Sequence, residues 1–139
     1  MVTGQAMGRL STQYAYDAVD LCTMSLQELH DLIRSWDYVA DPKGLEWVQR
    51  PIYTILGTGP CRDCDDRAIV VGAYAELNGL PFRFVAVGNR LGHPHHVFCE
   101  VLVGEDWIVV DATYPHDRLN MPHVWGHRQI IYDRRNYAR

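Results

Sequence analysis

Residues 61–89 read CRDCDDRAIVVGAYAELNGLPFRFVAVGN, with HPHHVFCEV at 93–101 and WIVVDATYP at 107–115. Asp63 is a good N-cap, and Asp66 stands three residues on, where a capping-box carboxylate sits. The pattern predicts a helix from Cys64 to Leu77, stopped by Asn78-Gly79. Its side chains are small or apolar almost all round (Ala68, Ile69, Val70, Val71, Gly72, Ala73, Ala75), so the helix is expected to be buried. Pro81 opens a strand at 82–87. A hairpin follows, its arms at 96–103 and 107–110 joined by Gly104-Glu105-Asp106. A helix followed by consecutive strands predicts an α+β fold, a buried central helix packed on an antiparallel sheet.

Outward from this core the signals weaken. SLQELHDLIRSW at 25–36 reads as an amphipathic helix, with Ser25 and Glu28 as a capping box. Asp41-Pro42-Lys43-Gly44 is turn chemistry. Residues 47–56 fit a short strand or an ordered loop, and Gly57-Thr58-Gly59-Pro60 breaks regular structure. Another strand is expected at 129–132. With no repeat and no linker, residues 1–139 are expected to form one domain, best supported over about 45–115.

With 47% hydrophobic and 11% aromatic content, a chain of 139 residues can build a real core. A net charge of −4 argues against a nucleic-acid partner. Arg128, Arg134, Arg135 and Arg139 make the end locally basic, which reads as a solvated tail. Residues 1–24 are interrupted by Arg9, Asp17 and Asp20, so neither a signal peptide nor a membrane partner is expected. The expectation is synthesis and residence in the cytoplasm. There, Cys22, Cys61, Cys64 and Cys99 point to reduced thiols, catalysis or metal rather than a disulfide framework.

The placement of Cys64, His96 and Asp111 carries the chemistry. A thiol at a helix start, an imidazole at a strand start and a carboxylate at a strand end supply a nucleophile, a base and a group to orient the base. Helix-start N–H groups lower a thiol pKa, whereas Asp63, Asp65 and Asp66 would raise it if they faced inward. Facing the helix N–H groups, Arg62 or Arg67 is expected of them. His93 and His95 compete with His96 for the base. Alternation puts His96 with Phe98, Glu100 and Leu102, and alone does not choose between the faces. Asp111 could equally cap the turn at 113–115. Cys61-x-x-Cys64 with His93, His95, His96 and Cys99 downstream is a competing zinc set. Against it, alternation along a strand separates His96 from Cys99. A Cys61–Cys64 disulfide would be a redox lock on the nucleophile.

These segments together resemble the transglutaminase-like superfamily, a branch of the papain-like cysteine enzymes. The residues that carry the resemblance are Asp63-Cys64-Asp65-Asp66, Gly79-Leu80-Pro81-Phe82-Arg83, His96 with Glu100-Val101, and Trp107 with Asp111-Ala112-Thr113. The match spans about 57–115, and its motifs agree in order. Arg62 stands where Gly is common, and Phe98 where many members have Trp. Residues 1–24 and 116–139 lie outside it.

The resemblance implies a papain-like/transglutaminase-like core with Cys64 as nucleophile, His96 as general base and then acid, and Asp111 orienting His96. Neither cofactor nor metal is implied. Attack on an amide or isopeptide carbonyl would form a thioester, with the Cys64 N–H and one upstream donor (Trp47, Gln49 or Tyr53) holding the oxyanion. Water then gives a peptidase or amidase, the favoured outcome, and an amine gives cross-linking. The substrate expected is a protein or peptide. The alternative keeps the fold without turnover, as a structural or assembly module. Small versions with this Cys-Asp-Asp form also resemble proteins encoded among bacteriophage structural genes, which points to phage-particle partners and a virion-associated location.

Overall fold

The computed structural model describes residues 4–41, 47–90, 92, 94–123 and 125–136. The expected turn at 41–44 falls mostly outside them, as do His93 and Arg139. The helices are α1 (Gly4–Gln13), α2 (Leu26–Arg34), α3 (Pro51–Leu56) and α4 (Cys64–Leu77), with a 3-10 helix at Ala15–Leu21. The strands are β1 (Phe82–Gly88), β2 (His96–Val103), β3 (Asp106–Val110) and β4 (His127–Asp133), paired antiparallel in the order β3-β2-β1-β4. The fold is α+β, as expected. None of the helices in the described residues is long and apolar enough to cross a membrane.

Both expected capping boxes form. Ser25 accepts from the Glu28 N–H at 3.1 Å while Glu28 accepts from Ser25, and Asp63 and Asp66 exchange the same pair of bonds. Residues 47–56, ambiguous in sequence, contain a helix instead of a strand. Pro51 at its first turn supplies the preset φ, and Gly57 ends it in the left-handed region at φ 69°.

Helix α4 is held by burial rather than by propensity. Ile69, Val70 and Val71 are β-branched and favour helix weakly, each costing a few tenths of a kcal/mol. All three are essentially inaccessible, and burying such a side chain contributes about 1.5–3 kcal/mol. Burial wins by several-fold. Gly72 permits the close approach, because a Cβ there would lie 2.6 Å from Ser11 Oγ and 2.8 Å from Phe82 Cε2.

Val97, Cys99 and Val101 of β2 face this core, joined by Phe82, Phe84, Val110 and Tyr132. Val85, Val87 and Phe98 form a second cluster with Val109 and Trp125. The sheet is therefore apolar on both faces where β1 and β2 run, and their sequences show little alternation. Arg128 and Arg134 are not the solvated tail residues expected. Arg128 pairs with buried Glu100 at 2.7 Å and Arg134 with Glu76 at 2.8 Å.

Candidate active site

Arg67 fixes the start of α4. Its guanidinium donates to the carbonyls of Ile33 and Ala112 through Nη1, Trp36 and Asp37 through Nη2, and Arg62 through Nε, at 2.9–3.1 Å. One buried side chain thus ties the end of α2, the segment after β3 and the loop before Cys64 into one body. Upstream, Gln49 Nε2 donates to Thr54 Oγ1 and the Cys61 carbonyl, each at 2.9 Å. Its amide clamps this loop, so of the three upstream residues considered for the oxyanion, Gln49 has its N–H groups already engaged.

Cys64 is partly buried at the first turn of α4. Its sulfur lies 3.8 Å from Asp65 Oδ1, and Cys64 lines a small pocket with Val97, Asp111 and Thr113. Burial first, and then the Asp65 carboxylate, push the thiol pKa up, against a lowering contribution from the Val97 N–H. The expectation that the flanking aspartates all turn away from the sulfur holds for Asp63 and Asp66, which cap the helix, but not for Asp65. Tyr38 and Tyr114 stand close enough for the Cys64 charge to raise both phenols. Tyr38, raised first by burial, reaches about 12.

His96 and Asp111 meet at 2.6 Å, Nε2 to Oδ2, both buried. The second Asp111 oxygen accepts from Thr113 Oγ1 at 2.7 Å. His30, fully buried on α2, reaches the Asp111 backbone carbonyl at 2.9 Å. The turn after Asp111 is capped not by Asp111 but by Asp117, which accepts from the N–H groups of Thr113 and Tyr114. Asp111 is thereby left to the imidazole. Burial works to raise its carboxyl, yet His123, His96 and Thr113 outweigh burial and hold it well below the usual carboxylate range. With Nε2 on Asp111, His96 keeps Nδ1 as its second nitrogen. Among the described residues, no hydrogen bond joins that nitrogen to Cys64. His95 is exposed, its N–H on the Val87 carbonyl.

His123 went unnoticed in the sequence. Its Nε2 lies 3.0 Å from Asp111 Oδ2, and its ring stacks on Phe98 at 4.4 Å between centroids. It arrives from 111–126, a segment without helix or strand periodicity to place it. His95, His96, Asp111, Tyr114, His116 and His123 line a cavity of about 420 Å³ beside the dyad.

Among the described residues, three groups of side chains bring metal-ligand atoms within 4.8 Å of one another: His96 with Asp111 and His123, Asp41 with Cys61 and Asp66, and Asp41 with Asp63 and Asp65. Cys61 and Cys64 share none of them. The Cys61 sulfur lies 3.9 Å from the Trp47 carbonyl, and Cys99 is fully buried in the core, so the zinc set read from Cys61-x-x-Cys64 is not assembled among the described residues. All four cysteines are free thiols.

The other motif residues have structural work. Arg83 and Glu100 sit opposite each other on β1 and β2 and pair at 2.7 Å, and the Arg83 guanidinium lies 3.9 Å above the Trp107 ring.

No protein-family model matches the chain, and no curated protein matches it. Among solved structures the fold is similar to Legionella pneumophila LapG. The EGTA-treated structure superposes with a TM-score of 0.54 at 13% identity, over 96% of this chain and 82% of that one. The calcium-bound structure gives 0.53 at 13% identity, over 95% and 83%. At this identity the likeness is one of fold. LapG is transglutaminase-like.

Proposed function

We propose that the protein is a cysteine-dependent hydrolase of amide or isopeptide bonds in a protein or peptide, acting through Cys64, His96 and Asp111. The observation that carries this reading is the buried His96–Asp111 pair, with Thr113 fixing the carboxylate and Cys64 lining one small pocket with Asp111 and Thr113. The neighbours in fold are transglutaminase-like cysteine proteases, which supports a proteolytic role.

The thiol is held up by burial and Asp65, so the resting nucleophile is the protonated form. Attack then runs with transfer of the Cys64 proton to His96 Nδ1, while Asp111 stabilises the imidazolium through Nε2–H. The S–C bond forms as the carbonyl π bond opens, and the oxyanion takes the Cys64 backbone N–H at the helix start. His96 returns the proton to the leaving amine as the C–N bond breaks. Water, deprotonated by His96, cleaves the thioester and restores the thiol.

One LapG neighbour is calcium-bound. In this chain Asp41, Asp63 and Asp65 form an all-carboxylate set of the kind hard cations take, and Asp41 Oδ1 is buried without a hydrogen-bond partner. A cation held there would supply positive charge beside the acidic start of α4. Melting the protein in calcium and in EGTA tests this, with a higher melting temperature expected in calcium.

The test of function is turnover of a quenched-fluorescent peptide pool, with products identified by mass spectrometry. Cleavage that disappears in Cys64→Ala and His96→Ala supports the hydrolase. A folded wild type that cleaves nothing and forms no thioester adduct supports a silent assembly module, the reading that includes a phage-particle role. Adding a primary amine separates cross-linking, which yields an amide adduct, from hydrolysis.

A further inference from the structure

The contact between His123 and Asp111 is close and buried. His123 Nε2 stands 3.0 Å from Asp111 Oδ2, in ion-pair range and near enough to help hold that carboxyl down, but it completes no well-formed hydrogen bond among the described residues. His96 Nε2 approaches the same oxygen from another side at 2.6 Å. Two imidazole nitrogens thus flank one carboxylate oxygen, and the three potential ligand atoms lie within 4.8 Å of one another.

We infer that His96, Asp111 and His123 form a binding site for a divalent ion of the zinc class. The donor chemistry selects the ion: two imidazoles and one carboxylate suit zinc and its neighbours, whereas calcium and magnesium require more oxygens. Scale agrees. Ligand atoms about 2.0–2.1 Å from tetrahedral zinc lie roughly 3.3 Å apart, so from 3.0 Å the His123 side must open by about 0.3 Å and from 2.6 Å the His96 side by about 0.7 Å. The ring centroids of His96 and His123 are 5.7 Å apart, within the roughly 5–6 Å that two imidazoles bound through Nε2 would span. Thr113 Oγ1 on the other Asp111 oxygen and Phe98 stacked on His123 orient the ligands from outside. The cavity beside them leaves the fourth position to water or a small ligand.

On loading, the single N–H proton of neutral His96 moves from Nε2 to Nδ1, so His96 can no longer accept the proton of Cys64. That inhibitory consequence rests on the function proposed above. The binding itself does not.

The experiment uses the chelator-treated Cys64→Ser protein, which removes the neighbouring thiol as a ligand, titrated with cobalt(II) and followed by visible absorption. One equivalent is expected to give d–d bands that zinc abolishes and calcium does not. His123→Ala should weaken cobalt binding at least about tenfold, the scale on which metal-site partners count. His123→Gln should weaken it likewise while keeping a polar group beside Asp111, and melting curves verify that each variant is folded. Imidazole nitrogen NMR on the protein without His123 changes should show His96 and His123 shifting together on zinc addition. Absence of the bands at one equivalent, affinity unchanged in a folded His123 variant, or His123 resonances unmoved by zinc would each overturn the inference. Since none of these readouts needs turnover, failure of the hydrolase reading leaves them intact.

Discussion

The carboxylate of Asp65 lies 3.8 Å from the sulfur of Cys64, on the residue next to it in the first turn of α4. Its charge opposes ionisation of the thiol, second only to burial. Asp65→Asn should therefore lower the Cys64 pKa and raise its alkylation rate at pH 7 by about threefold or more, since one pKa unit is a tenfold change in thiolate. The fold should survive, because the helix cap belongs to Asp63 and Asp66. Rates of iodoacetamide labelling from about pH 6 to 9, spanning the ordinary thiol pKa, check this.

Asp111 gives a pH signature. Its folded pKa lies below the unfolded value of about 3.9. The stability it contributes is therefore present above pH 4 or so, and is lost as pH falls through the folded pKa. Asp111→Asn should be less stable than wild type at neutral pH, and the gap should narrow progressively as pH falls below about 4. Urea denaturation at several pH values measures it.

Arg67 is the structural keystone behind the site. Arg67→Met keeps the bulk but strips hydrogen bonds from the carbonyls of Ile33, Trp36, Asp37, Arg62 and Ala112. A loss of about 3 kcal/mol or more is expected, because each buried unpaired acceptor costs about 1–3 kcal/mol and water reaches only some of them. Arg67→Lys should rescue little, since an ammonium cannot span five carbonyls.

Gly72 sits under Ser11, Phe82 and Phe84, where even a Cβ meets atoms at 2.6–3.1 Å. Gly72→Leu should cost about 1–3 kcal/mol or more by overpacking, despite the gain in helix propensity. Because α4 carries Cys64 at its start, thiol reactivity should fall with the melting temperature. Differential scanning calorimetry beside alkylation rates tests both.

The fold was legible where local chemistry and tertiary packing agree. The Asp63–Asp66 cap, the apolar run of α4 and the turn at Gly104-Glu105-Asp106 each act within a few residues, and each appears where the sequence places it except that Asp106 already belongs to β3. The α1 segment and α3 were not read, because their helical states depend on partners distant in sequence. Ser11 on α1 donates to the Ile69 carbonyl, and a Cβ on Gly8 would lie 2.2 Å from the Tyr132 ring. At the site, His96 and Asp111 were named from strand ends, and they are in contact. His30 and His123 were not seen, and Arg67 was read as a partner for the aspartates when its guanidinium goes to backbone carbonyls. No period marks a histidine in an irregular segment, and sequence does not show which acceptors an arginine reaches. Asp65 was misjudged for a related reason: sequence shows that a carboxylate is adjacent, but not which way it turns.

The most direct test of the central claim is the alkylation rate of each of the four thiols in the folded protein near neutral pH, mapped by mass spectrometry, in wild type and in His96→Ala. If His96 takes the Cys64 proton, Cys64 is modified faster than buried Cys61 and Cys99 and faster than Cys22. His96→Ala then slows Cys64 alone, by about tenfold or more on the scale of general-base assistance, with an unchanged melting curve. Labelling of Cys64 that is no faster than that of the other thiols, or that is the same in His96→Ala, would contradict the account.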